Sequence, residues 1–167
     1  MEGNKIAEIA KGYIGKTETP NNSGFTDKKF ETKMTEVGWN KSLAWCSFFC
    51  ELVWNEACSD INLRAKIKKL FSGSATTTYK NFELDKTFKV GQIPTVGAVA
   101  IWRHGSGWQG HAAIVTEIVS KTEFKSVEGN TNDKGGREGY IVALKTRKTN
   151  NPFSEKSLNI VGFIYPS

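Results

Sequence analysis

The sequence predicts an α+β domain in which helices come first and an antiparallel sheet follows. Apolar residues recur at helical spacing through the first half, and from Pro94 the period shortens to that of strands rich in β-branched and aromatic residues. The two kinds of element do not alternate along the chain, as a parallel α/β sheet would require. With 167 residues the chain fits one domain, 1–167, long enough to bury a core without disulfides or a structural metal. No repeat, low-complexity tract or second domain interrupts it.

Ile6, Ile9, Ala10, Tyr13 and Ile14 define a short first helix that Gly12 and Gly15 end, before the turn-rich stretch from Thr19 to Gly24. Thr26 or Asp27 caps a second helix that turns Phe30, Met34 and Val37 inward. Ser42 is the cap expected for a third, apolar helix that carries Cys46 and continues to about Cys58. Basic amphipathic segments at Leu63 to Phe71 and Thr76 to Phe82 complete the helical half. The strand-like runs are Val96 to Trp102, His111 to Val119, Glu123 to Glu128, Tyr140 to Lys145 and Asn159 to Tyr165, with Asn150-Asn151-Pro152 as a loop between the last two.

The formal charge of +6 favours an anionic partner, whether nucleic acid, acidic lipid or an acidic wall polymer, and does not choose among them. The basic clusters Arg64 to Lys69 and Lys145 to Lys148 read mainly as solvated faces. The three cysteines, Cys46, Cys50 and Cys58, are odd in number and close together, which argues against a disulfide framework. With only two histidines, a Cys/His zinc site is poorly supported, and neither a metal nor another cofactor is expected. The N-terminus lacks a continuous apolar signal region and no stretch is long enough to cross a bilayer, so synthesis as a soluble cytoplasmic chain is expected.

Chemistry concentrates in a Cys, a His and a Glu-x-Asn group. Cys46 falls in the first turn of its helix, where unpaired backbone N–H groups and the positive end of the helix dipole favour thiolate. Cys50, one turn later among Phe48, Phe49, Leu52 and Val53, is expected to remain an inert thiol. The structural alternative for Cys46 is a small buried hydrophobe.

His111 follows the flexible run Gly105 to Gly110 and opens a strand, which suits a base that needs a defined position and access to substrate; His104 is the rival, and a structural histidine the alternative. Glu128 and Asn130, two apart on an extended segment, are expected on one face of the sheet, where either can orient the imidazole. Glu128 is preferred because a carboxylate stabilises imidazolium more strongly than an amide does, with Asn130 supporting that contact or lining the site; a simple polar turn at a strand end is the alternative. Trp102 and Trp108 bracket the histidine loop and are candidates for contact with substrate, with core packing an equal alternative for Trp102.

Four short motifs, taken together, resemble the CHAP family of cysteine, histidine-dependent amidohydrolases/peptidases. They are Trp45-Cys46-Ser47-x-Phe49 with Trp54 on the same helix, Val96 to Trp102, Gly110-His111-Ala112-Ala113-Ile114-Val115, and Val127-Glu128-Gly129-Asn130-Thr131, in the family's order over roughly Trp39 to Ile164. The resemblance implies a papain-like fold and hydrolysis of amide bonds in bacterial peptidoglycan, by an amidase or an endopeptidase, through a thioester. It implies Cys46 as nucleophile, His111 as base, Glu128 as third member and Asn130 beside it, with Trp45 joining Trp102 and Trp108 as a substrate-contact candidate. Some members carry an Asp-rich calcium loop before the cysteine, whereas only Asp27 lies in that region here.

A compact basic chain of this kind is similar to a phage endolysin or a delivered antibacterial effector, acting as a monomer on the wall without nucleic acid or membrane insertion. The rival readings are a non-catalytic module that binds wall or another anionic polymer, and an acyltransferase using the same thioester.

Overall fold

A computed structural model describes residues 1–132 and 139–167. Among the described residues, five helices precede a six-stranded antiparallel sheet. The helices are α1 (Gly3–Lys11), α2 (Lys28–Glu36), α3 (Cys46–Ala57), α4 (Ile61–Leu70) and α5 (Ala75–Asp85). The strands are β1 (Val90–Gly91), β2 (Val99–His104), β3 (Gly110–Ile118), β4 (Glu123–Thr131), β5 (Ile141–Lys148) and β6 (Leu158–Ile164), ordered β1-β6-β2-β3-β4-β5. The α+β class expected from the sequence is the one observed; β1, only two residues long, gave no periodic signal.

Local chemistry sets the helix starts. Asp27 accepts from the backbone N–H groups of Lys29 and Phe30, Asp60 from those of Asn62 and Leu63, and Ser74 from that of Thr77. Asp27 is also paired with Lys16. The third helix departs from expectation. Ser42 sits at φ +72° in the preceding turn, and α3 begins only at Cys46, with Trp45 at its N-cap and, among the described residues, no side chain capping it. Its first-turn N–H groups are thereby left for another acceptor.

Helix α3 is buried nearly all round and forms the centre of the molecule. Phe25, Phe30, Trp39, Trp45 and Phe49 pack edge-on or tilted about its start, and Trp54, Phe71, Phe82 and Phe88 about its end. Each such ring pair adds about 0.5–1.5 kcal/mol beyond its buried area. The same core takes in one face of the sheet through Val99, Ile101, Ala112, Ile114, Val127, Val142 and Ile164.

On the opposite face, Ala98, Ala100, Trp102, Ala113, Val115, Phe124 and Phe163 form a second buried cluster drawn from the sheet and its flanks. Side chains of one sheet can bury one another only if the sheet curls. Register shifts at Ile101/Trp102, Val115/Glu117 and Glu128/Thr131 bend the strands accordingly. Among the described residues no helix is long and apolar enough to cross a membrane.

Candidate active site

The ladder between β3 and β4 runs from Ile114↔Val127 to Ile118↔Phe124, and the first turn of α3 meets both strands at its open end. Gly129 makes this approach possible: a Cβ there would come within 2.7 Å of Trp45 Cζ3 and 2.8 Å of Phe49 Cβ. Cys46 is carried to β3, where its sulfur meets the His111 imidazole and the backbone of Ala112, while the backbone of Ser47 reaches it from its own helix.

His111 stands opposite Trp102 in the β2–β3 register and shares the face of the second buried cluster. Its Nε2–H donates to Glu128 Oε2 at 2.9 Å, which leaves Nδ1 as the nitrogen turned toward sulfur. Glu128 is fully buried. Its Oε1 accepts from Ser126 Oγ at 2.7 Å and from Arg147 Nε at 2.7 Å, and Arg147 Nη2 donates to Oε2 at 2.6 Å. The Arg147 guanidinium carbon lies 5.5 Å from the centre of the Trp102 ring, whose centroid is 5.8 Å from that of His111.

These contacts fix the charges. Burial works against the Glu128 carboxylate, but the hydrogen bonds and charges of Arg147 and His111 outweigh it and hold its carboxyl well below the usual range. Burial likewise opposes imidazolium, yet the bonds to Cys46 and Glu128 raise His111 above its ordinary value. For Cys46, burial alone would raise the thiol; the His111 bond and charge, with the Ala112 and Ser47 backbone, bring it below the ordinary thiol value instead. Burial pushes Cys50 well above that value. The arrangement favours a thiolate–imidazolium pair backed by a carboxylate, the charge state of an activated sulfur nucleophile.

The other sequence candidates lie elsewhere in the picture. Asn130 has φ +52° and follows the register shift at Glu128, so the alternation that would place both side chains on one face is broken; among the described residues no hydrogen bond joins it to His111. Trp45 is fully buried, with its Nε1–H on Glu18, and offers no surface to a substrate: it packs the core under α3. Trp102, 3 % exposed, is a wall behind His111 and Arg147. Trp108 is 80 % exposed on the loop before β3. That loop is braced, since Glu155 accepts from Ser106 N and Oγ. His104 is exposed at the end of β2, whereas His111 is only 9 % exposed.

Two residues of the constellation escaped the sequence reading. Arg147 sits in a basic run whose composition predicts a solvated face, but its side chain is 30 % exposed and forked onto Glu128. Ser126 carried no signal beyond strand alternation, which does place it with Glu128. Among the described residues no cluster of three or more His, Cys, Asp or Glu could hold a metal ion.

Comparison with curated proteins and with solved structures gave no match. A family model described as the CHAP domain matches residues 38–130, more than half of the chain and spanning Cys46, His111 and Glu128. The protein belongs to the CHAP-domain family, whose members are generally amidohydrolases and peptidases of the peptidoglycan-hydrolase type.

Proposed function

We propose that this chain is one catalytic domain, a monomeric cysteine hydrolase that cuts an amide bond of peptidoglycan as an N-acetylmuramoyl-L-alanine amidase or a stem or cross-bridge endopeptidase. The reading is carried by the row Cys46, His111, Glu128 at the uncapped first turn of α3. The route fits a phage endolysin or a delivered antibacterial effector.

In the forward half, Cys46 Sγ bonds to the stem-peptide carbonyl carbon, and the charge that develops on oxygen faces first-turn backbone N–H groups of α3. His111 Nδ1–H gives its proton to the amine as the C–N bond breaks. In the return half, water adds to the thioester while His111 takes its proton; the C–S bond breaks, the acyl half leaves as a carboxylic acid that gives its proton to solvent, and thiolate and imidazolium are restored. Glu128 holds the imidazole and stabilises its charge throughout.

The test is digestion of purified cell walls. The wild type is expected to clear the suspension and release fragments whose masses identify the cut bond, whereas Cys46→Ala and His111→Ala, folded by circular dichroism, leave it turbid. Full activity in either variant would refute the reading, and fragments joined to a new amine would indicate transfer instead of hydrolysis.

A further inference from the structure

Four donor contacts converge on the Glu128 carboxylate, from His111, Ser126 and two nitrogens of Arg147, which fills its hydrogen-bonding capacity and prevents its rotation. Trp102 lies against both Arg147 and His111, and Phe124 stacks on it at 6.2 Å, so the row from Cys46 to Glu128 is shielded from water and only its Arg147 end is partly exposed. The charges alternate along that row from Cys46 to His111, Glu128 and Arg147. Without the guanidinium, a buried thiolate–imidazolium–carboxylate row would carry a net negative charge. A positive group at its end makes proton loss easier for every neighbour, thiol and imidazolium alike.

We propose that Arg147 is a positioning residue that also sets the pH range of the site: its fork fixes Glu128, and its charge holds both the thiol and the imidazolium limits of the Cys46–His111 pair at lower pH. This rests on Cys46 and His111 being the reacting pair. The titratable groups that face the row are Cys46 and Cys50 from α3, His111 from β3, Glu128 from β4 and Arg147 from β5. Cys50 stays a neutral thiol through the range concerned, because burial holds it well above the ordinary value.

The experiment measures iodoacetamide alkylation of the Cys46 peptide by mass against pH, alongside kcat/KM on purified walls, for the wild type, Arg147→Gln and Arg147→Lys. Arg147→Gln is expected to move both limbs up by about half a pH unit to one unit and to lower kcat about tenfold with KM unchanged. Arg147→Lys, a point charge without a fork, is expected to lose a similar share of kcat with its limbs at the wild-type pH.

Limbs that stay in place in a folded Arg147→Gln overturn the inference, as do limbs that move in Arg147→Lys. Should Arg147→Gln fail to fold, Glu128→Gln is compared with Glu128→Gln/Arg147→Met, in which no buried carboxylate is left unpaired. A higher alkylation limb in the double variant supports the inference and equal limbs overturn it. A wild-type Cys46 that titrates as an ordinary thiol would overturn the nucleophile assignment and this inference with it, whereas a depressed wild-type limb that Arg147→Gln leaves unmoved overturns this inference alone.

Discussion

His111 and Glu128, seventeen residues apart on adjacent strands, are joined by one hydrogen bond of 2.9 Å in which the carboxylate is fully buried and the imidazole nearly so. A bond in that setting orients the ring and opposes the desolvation of its positive charge. Glu128→Gln keeps the shape and removes the charge. It is expected to lower kcat by about four orders of magnitude with little change in KM, by analogy with amide replacement of a triad carboxylate. Leaving Arg147 without its partner costs about 2–3 kcal/mol, below the range for a fully buried pair because 30 % of the Arg147 side chain is exposed. Wall-clearing kinetics and urea denaturation check the two effects separately.

Glu51, on the face of α3 away from this site, governs stability instead. It is 3 % exposed, and among the described residues neither its Oε1 nor Oδ1 of Asn55, one turn on, has a hydrogen-bond partner. Burial raises its carboxyl to about 8. Because the folded value lies above the unfolded one, the contribution of the protonated group is complete below the ordinary carboxyl range and is lost as pH rises through about 8. Glu51→Gln never ionises, and its amide can donate to Asn55. Its melting temperature is expected to match the wild type near pH 4 and to exceed it by several degrees, roughly 3–6 °C, near pH 8. Equal melting temperatures at both pH values would contradict this.

Trp45 and Trp108 should separate folding from substrate contact. Trp45→Ala removes a fully buried ring that packs on Phe25 and Phe49 and donates to Glu18, and is expected to cost about 3–5 kcal/mol in urea denaturation. Trp108→Ala removes a ring that is 80 % exposed. It is expected to leave stability unchanged while raising KM for walls about three- to tenfold, a loss of uniform binding. A Trp108→Ala enzyme with wild-type KM would remove this ring from the substrate groove.

The sequence carried the fold class because helices and strands occupy separate halves of the chain, each with a long enough periodic pattern to register. That Cys46, His111 and Glu128 would meet was legible for a related reason: each lies near an end of a periodic element, so its position follows from that element. What failed depended on single residues. At Asn130 one bulge with φ +52° ends the alternation on which the same-face argument relied, and a shift of one residue changes the face. Ser42 has the right chemistry for a cap but lies in a left-handed turn, so α3 starts four residues later. Arg147 was hidden by its basic neighbours, since a run of Lys and Arg on a strand alternates between solvent and the packed face, and composition does not say which member turns inward. Trp45 showed its place in a motif but not its burial, which comes from Phe25, Phe30 and Phe49 converging from three separate segments.

The central claim is that the Cys46 sulfur becomes covalently attached to the acyl half of its substrate. Rapid acid quench of the enzyme during turnover of a defined muropeptide, followed by proteolysis and mass spectrometry, tests it directly. The Cys46 peptide should gain the mass of the acyl fragment, lose it on treatment with hydroxylamine, and accumulate more of it when His111→Gln slows the return half. Product release at the normal rate with Cys46 unmodified at every quench time, or the adduct on Cys50 or Cys58, would contradict the account.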